Sequence, residues 1–312
     1  MTDNIANLND SQSDVRPRDN MWLETLKSLL RNNSARAGLV ILSFLLFIYI
    51  FAPVLAPYEP TEILLDRPNG IIPRLPPCLE LFGCDDGPQF VMGLDGNGRD
   101  IYSRVLYGSR LSLPVGLAAV SISITFGSVL GLLAGFYGGW IDNLIMRVMD
   151  VLLAFPSLLL AIAIVTVLGP GLINALIAIA IVAIPTYARL VRASVLSLKE
   201  QEFVLAARAL GTSNRRIMFS QILPNSMTPI VVQGTLGIGT AVLDAAALSF
   251  LGLGAQPPSA EWGRMLGDAI DSFRGAPHMA IFPGVAIMLT VLGFNLLGDG
   301  LRDALDPRLN KS

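Results

Sequence analysis

The sequence predicts an all-α integral membrane protein with about six transmembrane helices. Three observations carry that prediction. Of the 312 residues, 53% are hydrophobic and only 15% charged, with a mean hydropathy of +0.59; a soluble chain carries roughly 25% charged residues to cover its surface. Charge-free stretches recur at about the 20 residues that a helix needs to cross the hydrocarbon core. Lys and Arg gather in segments that fall on one side of those stretches.

The elements follow in order. Residues 1–20 are polar without an apolar pattern and are expected to form a disordered tail. Trp22, Leu26, Leu29 and Leu30 share a helical face with Lys27 and Arg31 elsewhere, so 21–36 reads as an amphipathic helix on the membrane surface. A plain extension of the first span is the alternative. Residues 37–56 are the first transmembrane helix, 57–110 an external loop, 111–302 the transmembrane core and 303–312 a second polar tail. The spans fall near 38–56, 113–137, 143–167, 172–191, 226–250 and 280–299, with Gly169-Pro170-Gly171 dividing the third from the fourth. Glycines in the second and fifth spans would let backbones approach closely, and Pro156, Pro185, Pro229 and Pro283 permit kinks.

Orientation comes from the basic residues. The stretch 189–216 holds Arg189, Arg192, Lys199, Arg208, Arg215 and Arg216 against Glu200 and Glu202. Lys27, Arg31 and Arg36 flank the first span, and Arg302, Arg308 and Lys311 follow the last. Six spans place all three groups on one side, which the positive-inside rule makes cytoplasmic. Both termini and 189–225 are then inside, with 57–110 and 252–279 outside.

Several function classes are excluded. No Lys follows a glycine, so there is no GxxxxGK[ST] phosphate loop, and any ATP used by the system is hydrolysed on another chain. One histidine, His278, and two cysteines, Cys78 and Cys84, cannot supply a zinc set, and no catalytic residue or metal ligand is expected. A net charge of −2 gives no signal for nucleic acid.

The segment 199–225 (KEQEFVLAARALGTSNRRIMFSQILPN) reads as two short helices. Phe203, Ala206, Ala207 and Leu210 are helically spaced, Gly211 ends the first helix, and Thr212-Ser213-Asn214 caps the next. This pattern resembles the loop shared by membrane subunits of ABC importers, a Glu-Ala-Ala triplet followed by a Gly and a Leu-Pro. Here these are Ala206-Ala207, Gly211 and Leu223-Pro224, with Leu205 in place of the Glu and Glu202 one turn earlier. The blocks GLDGNGRDIYSRVLYGSRLSL (93–113), GGWIDNLIMRVMDVLLAFPSLLLAI (138–162), LSFLGLGAQPPSAEWGRML (248–266) and FNLLGDGLRDALDPRL (294–309) are similar to the second permease subunit of dipeptide, oligopeptide and nickel importers.

That resemblance implies a type I importer permease fold in the cell membrane of a prokaryote. It implies a second homologous permease, two ATP-binding subunits carrying ATP and Mg, and an extracytoplasmic substrate-binding protein. It also implies that the 199–225 loop couples the path to the ATPase, through Glu202, Ala206, Ala207, Arg208, Gly211, Leu223 and Pro224. Short peptides are the first substrate class and nickel or another small solute the second. A non-transporting assembly scaffold is the reading of a different class.

Four features outside that loop invite a reading. Asp244 is the acid well inside a span, either lining the path, where it would attract an ammonium group, or tying two helices together. The family often has a Glu one position later, where this chain has Ala245. Asp95, Asn97 and Asp100 lack the Gly at position six and Glu at twelve of a calcium loop, and are expected to form a turn with ion pairs among Arg99, Asp100, Arg104 and Arg110. Cys78 and Cys84, in an oxidising compartment, form a local disulfide or remain two free thiols. Arg147 and Asp150 are spaced for an intrahelical pair, or Arg147 snorkels.

Overall fold

A computed structural model describes residues 29–65, 71–78 and 90–305. The N-terminal tail, most of the expected interfacial helix, Cys84 and residues 306–312 lie outside the described residues. The described chain is helical: α1 (Asn33–Leu55), α2 (Ile101–Tyr137), α3 (Gly139–Leu153), α4 (Ser157–Leu168), α5 (Leu172–Leu198), α6 (Glu202–Ala209), α7 (Asn214–Ile217), α8 (Met227–Phe250), α9 (Trp262–Ala269) and α10 (His278–Leu305). A π-helical turn (Met218–Ile222) and a single helical turn (Leu223–Asn225) join α7 to α8. Five helices, α1, α2, α5, α8 and α10, are long and apolar enough to cross a membrane.

Small residues set the register between these helices. A Cβ placed on Gly127 would meet Tyr187 at 2.7 Å, on Gly131 the carbonyl of Ala188, and on Gly135 Val195 at 2.8 Å. Residue numbers rise together on both helices, so α2 and α5 run parallel. Gly116 abuts Val242 and Gly234 abuts Ile124, so α8 is antiparallel to α2. Gly239 abuts Val291 and Gly298 abuts Leu236, which reverses α10 against α8; Gly38 against Leu297 and Gly300 against Ala35 reverse α1 against α10. Such close approaches are how helices associate where lipid provides no hydrophobic drive.

These directions bring the start of α1, the ends of α2, α5 and α10, and the start of α8 to one end, called inner here. The described basic residues of the three stretches, Arg31 and Arg36, those of 189–216, and Arg302, therefore share one end of the bundle. Asn32 shows the closure directly: its Oδ1 caps α1 by accepting from the backbone N–H of Ser34 and Ala35, and its Nδ2 donates to Asp303 at 2.9 Å.

Because α2 and α5 are parallel, the chain must return across the bundle between them. It does so through α3 and α4, which meet at 93° around Pro156. The stretch expected as one span over 143–167 is thus a bent pair. Pro156 lacks the N–H that would continue the α3 ladder, and the chain leaves helical geometry before it.

At the outer end α2 begins at Ile101, well before the apolar stretch. Asp100 caps it, accepting from the Ser103 N–H at 2.8 Å and the Ser103 hydroxyl at 2.6 Å. Burial raises the Asp100 carboxyl above its ordinary value, and the Ser103 hydrogen bonds pull it partly back. Asp100 is therefore a helix cap. The ion pair of the turn belongs to Asp95, whose Oδ2 accepts from Arg99 at 2.7 Å while Oδ1 accepts from the N–H groups of Asn97 and Arg99. Arg110 is exposed, with no ion pair among the described residues.

Arg104, 1% exposed, donates to the carbonyls of Pro60 at 2.8 Å, Pro258 at 3.3 Å and Ser259 at 3.0 Å, and lies 3.5 Å from Asp95. Glu261 caps α9 and accepts from the Ser112 hydroxyl at 3.1 Å. His278 sits with Nε2 3.2 Å from the Leu94 carbonyl, a structural contact within this cap.

Candidate functional site

Two parts of the molecule carry groups that packing alone does not require: the loop at the inner end and one face of α8.

The loop is a packed knob. Val204 and Ala207 of α6, with Ile217, Met218 and Ile222, bury into a cluster with Leu132, Phe136, Val191 and Val195 from the ends of α2 and α5. Gly211 ends α6 with φ +74°; its N–H reaches the Arg208 carbonyl and the Thr212 N–H the Ala207 carbonyl, each at 3.0 Å. This is the Schellman arrangement, in which a left-handed residue satisfies the orphan carbonyls of the last turn. Pro224 cannot donate to the ladder, and the wide π-helical turn just before it absorbs the disruption.

The predicted docking residues divide by face. Glu202, Ala206, Arg208, Gly211 and Pro224 are exposed, Leu223 is half-buried, and Ala207 points into the cluster. Ala206 and Ala207, both expected to dock, thus do different things. They are adjacent, so their side chains leave the helix about 100° apart. Arg208 lies back with its guanidinium carbon 5.4 Å from the centroid of the Phe136 ring. The outward surface is apolar instead: Phe203, Leu205 and Leu210 are 38%, 49% and 86% exposed and flank Ala206. Leu205 belongs to that surface.

Ion pairs anchor the knob's base. Arg192 on α5 makes two 2.6 Å hydrogen bonds to the Asp142 carboxylate on α3, and Arg189 one of 2.6 Å to Asp150. The Lys199 ammonium donates to the Gly135 carbonyl at 3.3 Å. Asp150 thus pairs across helices with Arg189, and the expected Arg147–Asp150 pair does not form.

On α8, Asp244 lines a cavity of about 120 Å³ between α2, α5 and α8, together with Ser123, Tyr187, Gln233, Gly237 and Thr240. Residues 233, 237, 240 and 244 follow helical spacing, so α8 turns one polar face to this space. Asp244 has no hydrogen bond or ion pair with a described residue. That removes the helix–helix tie as a role within the described chain. Ala245 is buried on another face. Gln233 also borders a larger groove of about 460 Å³ at the inner end, with Leu190, Thr228, Val232 and Arg302. The cavity and the groove meet at Gln233, and the groove's lining is mostly apolar. The sequence reading missed Gln233 and Thr240, although their spacing from Asp244 was there to be read.

Among the described residues no group of His, Cys, Asp and Glu could hold a metal ion. Cys78 is disulfide-bonded.

The architecture and the site define a multi-pass membrane protein with a polar internal face and an apolar knob at one end. Residues 127–311 match the family described as binding-protein-dependent transport system inner membrane component, and residues 20–77 match the N-terminal transmembrane domain of oligopeptide transport permease C. The chain belongs to this family of inner-membrane transport components.

Similar proteins agree. The dipeptide transport system permease protein DppC of Alkalihalophilus pseudofirmus is 54% identical, over 92% of this chain and 90% of that protein. The di/tripeptide transport system permease protein DppC of Pseudomonas aeruginosa is 48% identical, over 93% of each. The glutathione transport system permease protein GsiD of Escherichia coli is 49% identical, over 92% of this chain and 91% of that protein. Among solved structures, a chain of an inward-facing MetNI methionine ABC transporter aligns with 62% of this chain and 95% of its own length, at 21% identity and a TM-score of 0.47.

Proposed function

We propose that this chain is one permease subunit of an ATP-driven importer of short peptides, forming half of the translocation path. The observation that carries this is the knob. A pair of short helices, seated on the ends of α2 and α5, presents Phe203, Leu205, Ala206 and Leu210 outward at the inner end. An exposed apolar surface on a loop that projects from the end of the bundle suits a protein–protein contact. The relatives suggest the substrate class, since they belong to dipeptide, di/tripeptide and glutathione transport systems.

In this reading the knob docks on ATP-binding subunits, which hold ATP and Mg. A second permease completes the path, and a binding protein delivers peptide to the outer cap. The inner end is cytoplasmic, in keeping with its basic residues. The polar face of α8 lines the path, with Asp244 attracting the peptide's ammonium group. An intramembrane carboxylate is costly unless it faces water or a partner charge.

The test is uptake of a radiolabelled dipeptide by cells lacking this chain and by cells in which it is restored. Loss and recovery of uptake is the expected result; unchanged uptake on deletion overturns the proposal.

A further inference from the structure

We propose that α3 is an in-plane helix of the membrane interface, seated with Trp140, Leu144, Val148 and Val151 in the acyl–headgroup boundary at the inner end of the bundle, and is not the inner half of a straight span.

Direction is the first argument. From Asp142 to Asp150, α3 advances eight residues, roughly 12 Å at 1.5 Å per residue. Their partners on α5, Arg192 and Arg189, are three residues apart, about 4.5 Å along that axis. A helix running alongside α5 would meet partners as far apart as its own acids. Thus α3 crosses α5 steeply and lies close to the plane of the bundle's end. The 93° corner with α4 agrees, since α4 is the piece that returns to the outer end.

Depth is the second. Arg192 is 20 residues from the outer start of α5, about 30 Å, the thickness of the hydrocarbon core. The Asp142–Arg192 pair therefore sits at the inner boundary of that core.

The third argument is the distribution of side chains around α3. One sector, with Asp142, Ile145 and Met149, faces the bundle. A second is apolar and exposed: Trp140 is 75% exposed, Val151 56%, Leu144 and Val148 49% each. The third is polar, with Asn143, Arg147 and Asp150 exposed. Three sectors suit a helix with protein on one side, acyl chains on another and headgroups on the third. A straight span would carry Asn143 and Arg147 into hydrocarbon. The apolar sector also runs on through Phe155 to the exposed Leu159 and Val167 of α4, which makes it continuous with the membrane-facing surface. Lipid, not another chain, is its occupant.

The experiment places single nitroxide labels at 140, 144, 148 and 151 on α3 and at 159 and 167 on α4, in the complete transporter in phosphatidylethanolamine–phosphatidylglycerol vesicles. Collision rates with oxygen and a nickel chelate report depth. All six positions are exposed, so no label has to fit into the bundle. The four α3 labels are expected at one depth, within about 5 Å, and reached by oxygen, while the α4 labels differ by about 12 Å. A steady change of about 16 Å from 140 to 151 would establish a span and overturn the proposal. Protection of the α3 labels from both reagents would overturn it too, by placing another chain on this face.

Discussion

Arg192 holds Asp142 through two parallel hydrogen bonds of 2.6 Å, joining the inner end of α5 to the start of α3. Paired forks of this kind combine charge with fixed geometry. Both side chains are partly shielded, at 34% and 14% exposure. A double-mutant cycle with Asp142→Asn and Arg192→Gln should give a coupling of about 1 kcal/mol in the unfolding free energy of the purified protein. Additive effects would show that the two helices hold together without the pair.

Ala206 and Ala207 should respond oppositely to enlargement. Ala207→Phe overpacks the cluster around Phe136 and Val195 and should destabilise the protein by about 1–3 kcal/mol. Ala206→Trp should leave thermal stability within about 0.5 kcal/mol and lower peptide-stimulated ATPase activity of the complex about tenfold, the equivalent of about 1.4 kcal/mol of docking. Normal coupling in Ala206→Trp would count against the knob.

Gly211 is constrained by conformation and not by space. Its φ is +74°, and a Cβ there would meet nothing within 4 Å. Gly211→Ala should cost about 1 kcal/mol and Gly211→Asn less, because Asn tolerates the left-handed region. Melting temperatures in the order Gly, Asn, Ala, Val would bear this out. An unchanged Val variant would mean that the loop can rewind.

Arg104 ties α2 to the outer cap through three carbonyls. Arg104→Met leaves those carbonyls unpaired in a closed site, while Asp95 keeps its pair with Arg99, and should cost about 3 kcal/mol. Arg104→Lys should recover little, since one ammonium cannot reproduce the guanidinium fork. Thermal unfolding of the two variants is the measurement.

Asp244→Asn should reduce uptake of peptides with a free amino group while leaving assembly of the complex unchanged. Peptides blocked by N-acetylation should be carried poorly by the parent and be insensitive to the substitution. Equal uptake of free peptides by parent and variant would remove Asp244 from the path.

Much of the architecture is legible in the sequence because lipid demands long uncharged helices. The centres of the spans therefore stand out wherever charge is missing for about 20 residues. Their ends do not. The helix α2 extends outward to Ile101 on the strength of the Asp100 cap and the Arg104 contacts, which hydropathy does not register. Pro156 announces an interruption between α3 and α4, yet a proline does not state the angle of the corner it makes.

The inner loop was readable in its secondary structure, because Gly211 carries local stop chemistry; the next helix does start just after Ser213, but without the expected side-chain cap. Its facing was not. Only the packing of Val204 and Ala207 on Phe136 and Val195 decides that Ala206 looks outward. Asp150 teaches the same lesson: spacing offers it Arg147 on its own helix, and the fold supplies Arg189 from another.

The parallel pair of α2 and α5 has a mechanical consequence. With Gly127, Gly131 and Gly135 letting one backbone rest on the other, the inner halves of the two helices have little slack to slide past each other. Those halves are embedded in the base of the knob at Phe136 and Val195, while α2 is pinned at its other end by Arg104 to Pro60 and Ser259. Pro114 and Pro185 lie between the two anchorages, so bending of the pair is confined to the stretch above the glycine contacts.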